Sequence, residues 1–448
     1  MTSFAPELFQ LHPDHLQTPL VPYKSYRQSF KVPSSKPETQ RGLIMAALAD
    51  GISHIHNDLR CLETDTMKQA FRSFGVEVVE KEKHLVVQGC GGEFQYNNRV
   101  IDSKGSGLVF RVFSALATTV SSPVIISGDA TLRKRIMAPL FQALENLGAN
   151  IECIAVPDRA PIVNWSAPLQ GGHCKVPGNL SSQFITAILL AAPLAQNPIG
   201  ITVTDEVYSK SYIHQTVAAM RQFGVSVDMT DTFDHFTVQP TLPTATNIQL
   251  SGDYTSASYL LAWASLFPGT TIIENLREHS LQDEREIIDM IRALGLNIVF
   301  DPQDEQVVIH NDLDGLRGNY HFDIRNCPNI APTLAAISAF VEGSFKVTGA
   351  AITRFHKCSR IESIAQELQK VGVDITPIYL DDNTCDGFIT HGKHTYEGGE
   401  TLSSWGDHRL FMSLYLASLR MKKSNRIDGY QDIICSFPSF LEQFSFLT

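Results

Sequence analysis

Residues 71–78 read Phe-Arg-Ser-Phe-Gly-Val-Glu-Val, and this pattern of a helix end, a glycine and a strand returns four more times. The glycines of the five copies are Gly75, Gly148, Gly224, Gly295 and Gly372, which lie between 71 and 77 residues apart. Glycine readily adopts the left-handed conformation that ends a helix, and the alternating residues after it are typical of a strand. Five matches at a near-constant spacing indicate an internal repeat.

An apolar helix precedes each of these amphipathic helix ends. Residues 177–193 show it most clearly, because a turn with Gly178, Ser181 and Ser182 leads into a segment that is apolar for most of three turns. A helix that is apolar on all sides must be buried. Such helices are predicted to begin near the following residues: Glu38, Gly107, Ser182, Thr255, Asn329 and Asp407.

Six repeats of this size are too large for a solenoid, so they are predicted to form two domains of three repeats each. The resulting fold is of the α/β (α+β) class. Residues 36–250 are expected to form the first three-repeat domain, and residues 28–35 with 251–448 the second. Residues 1–27 are polar and contain prolines, and they are expected to form an N-terminal extension over the surface.

Composition excludes several functional classes for this chain of 448 residues. Its net charge of -11 argues against a nucleic-acid or anionic-membrane partner, so an anionic ligand must be held by a local group of basic residues. The longest apolar runs are too short to span a bilayer, and the N-terminus lacks the pattern of a signal peptide. The cysteines lack metal-binding spacing, so a cytoplasmic protein without a metal or other cofactor is predicted.

Basic and small polar residues recur where the apolar helices begin and in the loops between them. Lys36 and Arg41 flank the first helix start, and Arg135 ends a basic loop after the second. Arginine matches carboxylates and phosphates with paired donors, and lysine acts as a point charge. Taken together, these residues favour one site for an anion-rich ligand, although a single basic loop is more often a solvated surface.

The most specific motifs resemble a known family from about Phe30 to the C-terminus. They are Pro-Ser-Ser-Lys at 33–36, Leu-Arg-Lys-Arg at 132–135, Ser-Ser-Gln-Phe at 181–184, Asp-His-Arg at 407–409, and residues 253–259 and 436–438. The sequence resembles the enolpyruvyl transferases and, among them, the 5-enolpyruvylshikimate-3-phosphate synthases of the shikimate pathway of aromatic amino acid biosynthesis. The resemblance implies two domains, each of three βαβαββ repeats, with the active-site cleft between them.

The resemblance also implies roles for individual residues. The phosphorylated acceptor, shikimate 3-phosphate or an analogue, is expected at Lys36, Arg41, Ser181, Ser182, Gln183, Ser209, Tyr212, Asn329 and His356. Phosphoenolpyruvate is expected at Lys36, Gly107, Arg111, Arg135, Gln183, Arg360 and Arg409. The expected catalytic residues are Lys36, Asn329, His356, Lys357 and His408.

The chain departs from the family pattern at five positions. Asn329 replaces an Asp that contacts the acceptor hydroxyl, Lys357 replaces a catalytic Glu, and Cys435 replaces a Lys. Pro37 and Gly105 replace a Ser and an Asn. Carboxyvinyl transfer requires one proton to be added and another to be removed, and an amide cannot act as a general base.

Three functions are compatible with these residues. The first is enolpyruvyl transfer from phosphoenolpyruvate to shikimate 3-phosphate or a close relative, with rearranged acid–base groups that include Lys357 and His356. The second is a lyase reaction that eliminates phosphate or another group from a shikimate-type phosphate. The third is anion binding without catalysis. The first is placed ahead of the second, and the third is last.

Overall fold

The computed structural model describes residues 14–97, 99–165, 168–303 and 305–447. The chain divides into two compact units between Pro33 and Ser34 and between Ser251 and Gly252. We call residues 34–251 the inserted unit, and the residues up to 33 together with those from 252 onward the split unit. Of the N-terminal extension expected over residues 1–27, residues 1–13 lie outside the described residues.

Buried and amphipathic helices alternate along the chain. The odd-numbered helices are the predicted apolar ones, and the even-numbered helices have one exposed face. The helices are α1 (Lys36–Leu48), α2 (Leu62–Ser73), α3 (Gly107–Leu116), α4 (Ala138–Asn146), α5 (Ser182–Ala191), α6 (Lys210–Gln222), α7 (Tyr254–Leu266), α8 (Glu286–Ala293), α9 (Ala331–Ser338), α10 (Arg360–Lys370) and α11 (His408–Leu419).

The strands are short, and most belong to four-stranded sheets. They are β1 (His15–Gln17), β2 (Tyr26–Lys31), β3 (Ile52–His56), β4 (Glu77–Glu80), β5 (His84–Gln88), β6 (Ile101–Asp102), β7 (Val124–Ser127), β8 (Asn150–Cys153), β9 (Ile162–Trp165), β10 (Gly172–Val176), β11 (Ile199–Val203), β12 (Val227–Met229), β13 (His235–Val238), β14 (Asn247–Gln249), β15 (Gly269–Glu274), β16 (Asn297–Asp301), β17 (Gln306–Asn311), β18 (Leu316–Asp323), β19 (Val341–Thr348), β20 (Asp374–Tyr379), β21 (Cys385–His391), β22 (Thr401–Leu402) and β23 (Arg426–Asp428).

One βαβαββ repeat supplies all four strands of three of the sheets. In the third repeat of the inserted unit the strand order is β10-β11-β13-β12, with β10 and β11 parallel and the other neighbours antiparallel. The sheets β6-β7-β9-β8 and β18-β19-β21-β20 have the same order. The α/β class and the repeat predicted from the sequence are therefore confirmed.

The glycines that define the repeat end the amphipathic helices as predicted. The five glycines have φ values between 80° and 103°, in the region that favours glycine. The apolar helices fill the interiors, since every residue of α3, α7 and α9 is buried. Among the described residues, no helix combines the length and apolar character that crossing a membrane would require.

The first repeat of each unit takes its first strand from a distant part of the chain. In the inserted unit, β14 follows the third repeat and pairs in parallel with β3 of the first. In the split unit, β2 precedes the inserted unit and pairs in parallel with β15. The sheet of β14 and β3 therefore joins the two ends of the inserted unit, and the sheet of β2 and β15 joins the two pieces of the split unit.

The segment before β2 differs from the predicted surface extension. Strand β1 pairs antiparallel with β23, and Leu16 lies opposite Ile427 with both side chains fully buried. The Thr18 N–H also donates to the Asn425 carbonyl at 2.9 Å. Strand β1 completes the sixth repeat, whose own sequence lacks the Gly–strand ending. It was not predicted, because a strand of three residues is too short to show an alternating pattern.

We expect Leu16→Ala to lower the free energy of unfolding by about 2–5 kcal/mol, because it leaves a cavity in the core of the split unit. The matched control is Leu20→Ala, since Leu20 is 58% exposed and its loss should change stability by less than about 0.5 kcal/mol. Denaturant unfolding of both variants measures the difference. Equal stability of the two variants would show that β1 does not contribute to the folded core.

Candidate active site

Arg41 lies inside the inserted unit, 2% exposed on the inner side of α1. Its Nε donates to Thr216 Oγ1 at 2.8 Å, and its two NH groups donate to the carbonyls of Pro37 and Tyr212 at 3.0 and 2.9 Å. These acceptors are neutral, and burial lowers the pKa of Arg41 to about 10, still well above neutral pH. The charge is therefore retained and positioned by α1 and α6.

Lys36 begins α1, where the Ser35 side chain caps the helix by accepting from the Glu38 N–H. Its Nζ lies 3.1 Å from a carboxylate oxygen of Glu63 in α2. Both side chains are largely buried, at 14% and 21% exposure. The acidic partner was not predicted, because no sequence pattern shows which carboxylate of α2 faces α1.

Three serines stand at helix starts in the inserted unit. Ser181 caps α5 by accepting from the Gln183 N–H at 3.3 Å, and Ser182 is the first residue of that helix at 5% exposure. Ser209 precedes α6 with a φ of 55°, an unusual conformation for a residue with a side chain. Helix N-termini attract anions because their N–H groups are not paired within the helix.

Two guanidinium groups and one amide converge above the start of α3. A Cβ placed on Gly107 would collide with a terminal nitrogen of Arg111, and it would lie 2.8 Å from one of Arg135 and 3.3 Å from the Gln183 side-chain oxygen. The Arg111 guanidinium also donates to that oxygen. Burial, followed by the nearby Arg135 charge, lowers the pKa of Arg111 to about 9. Two like charges at a helix N-terminus form a site suited to a phosphate or carboxylate.

In the split unit, Arg360 bridges a carboxylate and an amide. Its Nε donates to Asp407 Oδ2 at 2.7 Å and one NH group donates to Asn329 Oδ1 at 3.0 Å. The Arg360 and Asp407 side chains are 6% and 0% exposed. Burial opposes the charge on Asp407, but Arg360, His408 and the Arg409 N–H together hold its pKa well below the usual value.

The loop before α11 leads to Asp407, which caps the helix, and to His408 and Arg409, its first two residues. Buried Glu367 fixes this loop, since its carboxylate accepts from the Ser403 N–H at 2.9 Å and from the Trp405 indole at 3.0 Å. Asp407 caps α11 by accepting from the Arg409 N–H at 2.8 Å. His408 is 3% exposed, and its Nδ1 is 4.0 Å from Asp407 Oδ1.

Lys357 and Cys435, which the sequence analysis singled out, lie side by side. Lys357 Nζ is 3.8 Å from Cys435 Sγ, at the end of the 3₁₀ segment Tyr430–Cys435. Burial raises the pKa of the nearby Asp432 carboxyl, and the Lys357 charge partly offsets this. His356 is half-buried in the loop before α10. In the structure, Asn329 and Asp407 both accept hydrogen bonds from Arg360, and Lys357 contacts Cys435.

One further carboxylate was missed by the sequence reasoning. Glu284 is 1% exposed, and its Oε1 accepts from Asn329 Nδ2 at 3.2 Å. It lies in a run of charged residues, Asp283 to Glu286, in which spacing does not show which side chain points inward.

As for metals, within the described ranges no group of three or more His, Cys, Asp or Glu side chains is arranged to hold an ion.

The comparisons with known proteins agree in fold and family. A family model described as EPSP synthase (3-phosphoshikimate 1-carboxyvinyltransferase) matches residues 22–444. The 3-phosphoshikimate 1-carboxyvinyltransferase of Methanosphaera stadtmanae is 33% identical over 421 residues, which cover 92% of this chain and 95% of that protein. That of Methanothermobacter thermautotrophicus is 33% identical over 413 residues, with 92% and 94% covered.

Solved structures show the same similarity. EPSP synthase from Acinetobacter baumannii has a TM-score of 0.79 and 25% identity, with 96% of this chain and 97% of that chain covered. The enolpyruvyl transferase NikO from Streptomyces tendae has a TM-score of 0.73 and covers 97% of both chains, but at 14% identity it shows the fold alone. With two compact units of three repeats and a family match over nearly its whole length, the chain belongs to the EPSP synthase family of transferases.

Proposed function

We propose that the chain transfers the enolpyruvyl group of phosphoenolpyruvate to shikimate 3-phosphate or a closely related phosphorylated cyclohexene carboxylate. The observation that carries this proposal is the convergence of Arg111, Arg135 and Gln183 above Gly107 at the start of α3. Family membership and the activity for which the relatives are named support it. Both substrates are small anions, which agrees with local basic clusters in a chain of net charge -11.

In the inserted unit, we assign the acceptor to the residues around α1, α5 and α6. Ser181, Ser182 and Ser209 hold its phosphate, because three hydroxyls at two helix starts can donate to phosphate oxygens. Arg41 holds its carboxylate, with Gln183 and Tyr212 lining the same site. The acceptors around Arg41 support this assignment, since its three hydrogen bonds go to a hydroxyl and two carbonyls, which are neutral.

Phosphoenolpyruvate is assigned to two groups of mainly basic residues. In the inserted unit, Arg111 and Arg135 at Gly107 hold one of its anionic groups, with Gln183 and Lys36 as further ligands. In the split unit, Arg360 and Arg409 hold its carboxylate. The buried pair with Asp407 supports the role of Arg360, because it fixes the planar guanidinium in the orientation that a bidentate contact requires.

The acid–base groups are rearranged relative to the family pattern. Lys36, His356, Lys357 and His408 are the proposed proton carriers, and Asn329 contacts the acceptor by hydrogen bonds alone. An ammonium such as Lys357 gives a proton to the enol carbon and takes it back when phosphate leaves. We further propose that the protein acts on small anionic substrates in the cytoplasm and binds neither nucleic acid nor a membrane.

A lyase reaction on a shikimate-type phosphate is the second candidate. The observation that favours it is the replacement of two family carboxylates by Asn329 and Lys357. Elimination of a phosphate needs fewer bases than transfer, because the leaving group already carries negative charge. It differs from transfer in one measurable respect, since it consumes no phosphoenolpyruvate.

Calorimetric titration with shikimate 3-phosphate tests the acceptor assignment. We expect Ser182→Ala to weaken binding about 10-fold or more, since a hydrogen bond to a charged group contributes about 1.5–3 kcal/mol. The matched control is Ser114→Ala, because the Ser114 hydroxyl is buried in α3 and donates to the Phe110 carbonyl at 2.8 Å. Equal affinity of both variants, or no binding by the wild type, would overturn this acceptor.

A further inference from the structure

Glu284 is a buried carboxylate beside Asn329, the residue that replaces an aspartate of the family pattern. It lies in the 3₁₀ segment Asp283–Arg285, directly before α8. Its Oε1 is 3.2 Å from Asn329 Nδ2, in the 3₁₀ segment Pro328–Ile330 that leads into α9. The two short segments therefore place a carboxylate and an amide in contact.

The neighbouring Gln282 fixes the position of Glu284. The Gln282 side chain is 3% exposed, accepts from the Tyr254 N–H at 2.7 Å and donates to the Gly252 carbonyl at 2.9 Å. These bonds anchor the loop to the start of α7, which is itself fully buried. Glu284 is consequently held by the core of the split unit.

The hydrogen bonds in this group are consistent with only one orientation of the Asn329 amide. Its nitrogen donates to Glu284, and its oxygen accepts from Arg360, which cannot accept a hydrogen bond. An aspartate at residue 329 would instead bring two carboxylates within hydrogen-bond distance, and such pairs do not both ionise readily. The amide at 329 avoids this repulsion, and Glu284 is the one carboxylate of the pair.

We infer that Glu284 takes the proton of the acceptor hydroxyl, in place of the carboxylate that the family carries at residue 329; this rests on the function proposed above. The acceptor oxygen bonds to C2 of phosphoenolpyruvate while its O–H bond breaks and Glu284 receives the proton. C3 takes a proton from Lys357. In the second step C3 returns that proton, the bond from C2 to the phosphate oxygen breaks, and the proton on Glu284 leaves with the phosphate.

The short distance between the two side chains makes this step feasible. A hydroxyl that contacts residue 329 lies beside the Glu284 carboxylate, and hydrogen bonds that are imperfect without substrate tighten when it binds. A carboxylate can accept several hydrogen bonds at once, so the bond from the Asn329 amide does not by itself prevent Glu284 from taking a proton. Glu284 is therefore a catalytic residue in this inference.

The test compares kcat, KM and pH profiles for the wild type, Glu284→Gln and the double variant Glu284→Gln with Asn329→Asp. We expect Glu284→Gln to lower kcat at least 100-fold, with each KM within about threefold of the wild type, and to remove the acidic limb of the pH profile. The double variant preserves the hydrogen bond with donor and acceptor exchanged and returns a carboxylate to residue 329. The kcat of the double variant should be at least tenfold higher than that of Glu284→Gln.

Glu286→Gln is the matched control, because Glu286 is half-buried two residues further along and accepts from the Cys327 thiol. It should keep the wild-type kcat, and thermal melting checks that every variant is folded. If the wild type forms an enolpyruvyl ether and Glu284→Gln keeps kcat within tenfold, or loses only affinity, the role of Glu284 is wrong and the proposed function stands. If the wild type forms no enolpyruvyl ether, the proposed function and this role both fail.

Discussion

Asp407→Asn is expected to lower the free energy of unfolding by about 3 kcal/mol at neutral pH, because it leaves the Arg360 guanidinium buried without its carboxylate. Asparagine keeps a side-chain oxygen that can cap α11, so the variant isolates the loss of charge. Phosphoenolpyruvate affinity should also fall, since Arg360 loses the bond that orients it. Denaturant unfolding and calorimetric titration measure the two effects.

The difference in unfolding free energy between the wild type and Asp407→Asn should depend on pH in a defined direction. The pKa of Asp407 is lowered in the folded protein, so its stabilising contribution is complete above the pKa of an unfolded aspartate, about 3.9. The contribution is lost as the pH falls toward the lower folded value. The stability difference between wild type and variant should therefore be constant from pH 7 to 5 and shrink below pH 4.

Glu305→Gln is the control for Asp407→Asn. Glu305 pairs with Arg277 at 2.7 Å, but both side chains are more than a third exposed. Exposed ion pairs contribute about 0–1 kcal/mol, so this variant should change stability little. If Asp407→Asn were no more harmful than the control, the buried pair would not contribute to stability as described.

Lys357→Glu is expected to weaken phosphoenolpyruvate binding about 30-fold or more, because it replaces a cation near the proposed ligand by an anion. Lys357 Nζ lies 3.8 Å from Cys435 Sγ, so a lysine at residue 435 would offset the new negative charge of this variant. The double variant with Cys435→Lys should recover affinity to within about tenfold of wild type. A non-additive result of this kind is expected for charges in contact.

The control for this charge reversal is Lys423→Glu, since Lys423 is 66% exposed and should leave binding unchanged. Calorimetric titration with phosphoenolpyruvate compares all four proteins. If Lys357→Glu bound phosphoenolpyruvate as tightly as wild type, Lys357 would not be a ligand and its exchange with Cys435 would have no functional meaning.

Local patterns explain which parts of the fold were predictable. The helix starts near Gly107 and Ser182 and the glycines of the repeat follow from hydrophobic spacing and backbone conformation, which depend on neighbouring residues. Strand β1 is different, because three residues carry no periodic signal and their partner β23 lies about 400 residues further along the chain. Pairing at that distance depends on the assembled core.

The candidate site also contains both residues that the sequence predicted and residues that it did not. Residues such as Arg360 and Ser182 were predicted because they belong to distinctive motifs at helix starts. Glu63 and Glu284 were not, since each lies among other charged residues and only the packed structure shows that it faces Lys36 or Asn329. Motifs and the family resemblance therefore identified the cations and Asp407, but they missed the carboxylates beside Lys36 and Asn329.

The most direct test is to incubate the protein with phosphoenolpyruvate and shikimate 3-phosphate and to follow the mixture by ³¹P and ¹H NMR. Enolpyruvyl transfer predicts one inorganic phosphate for each enolpyruvyl ether of shikimate 3-phosphate that appears, and no reaction when either substrate is omitted. Phosphate release from shikimate 3-phosphate alone, or the absence of any enolpyruvyl ether, would contradict the proposed transfer.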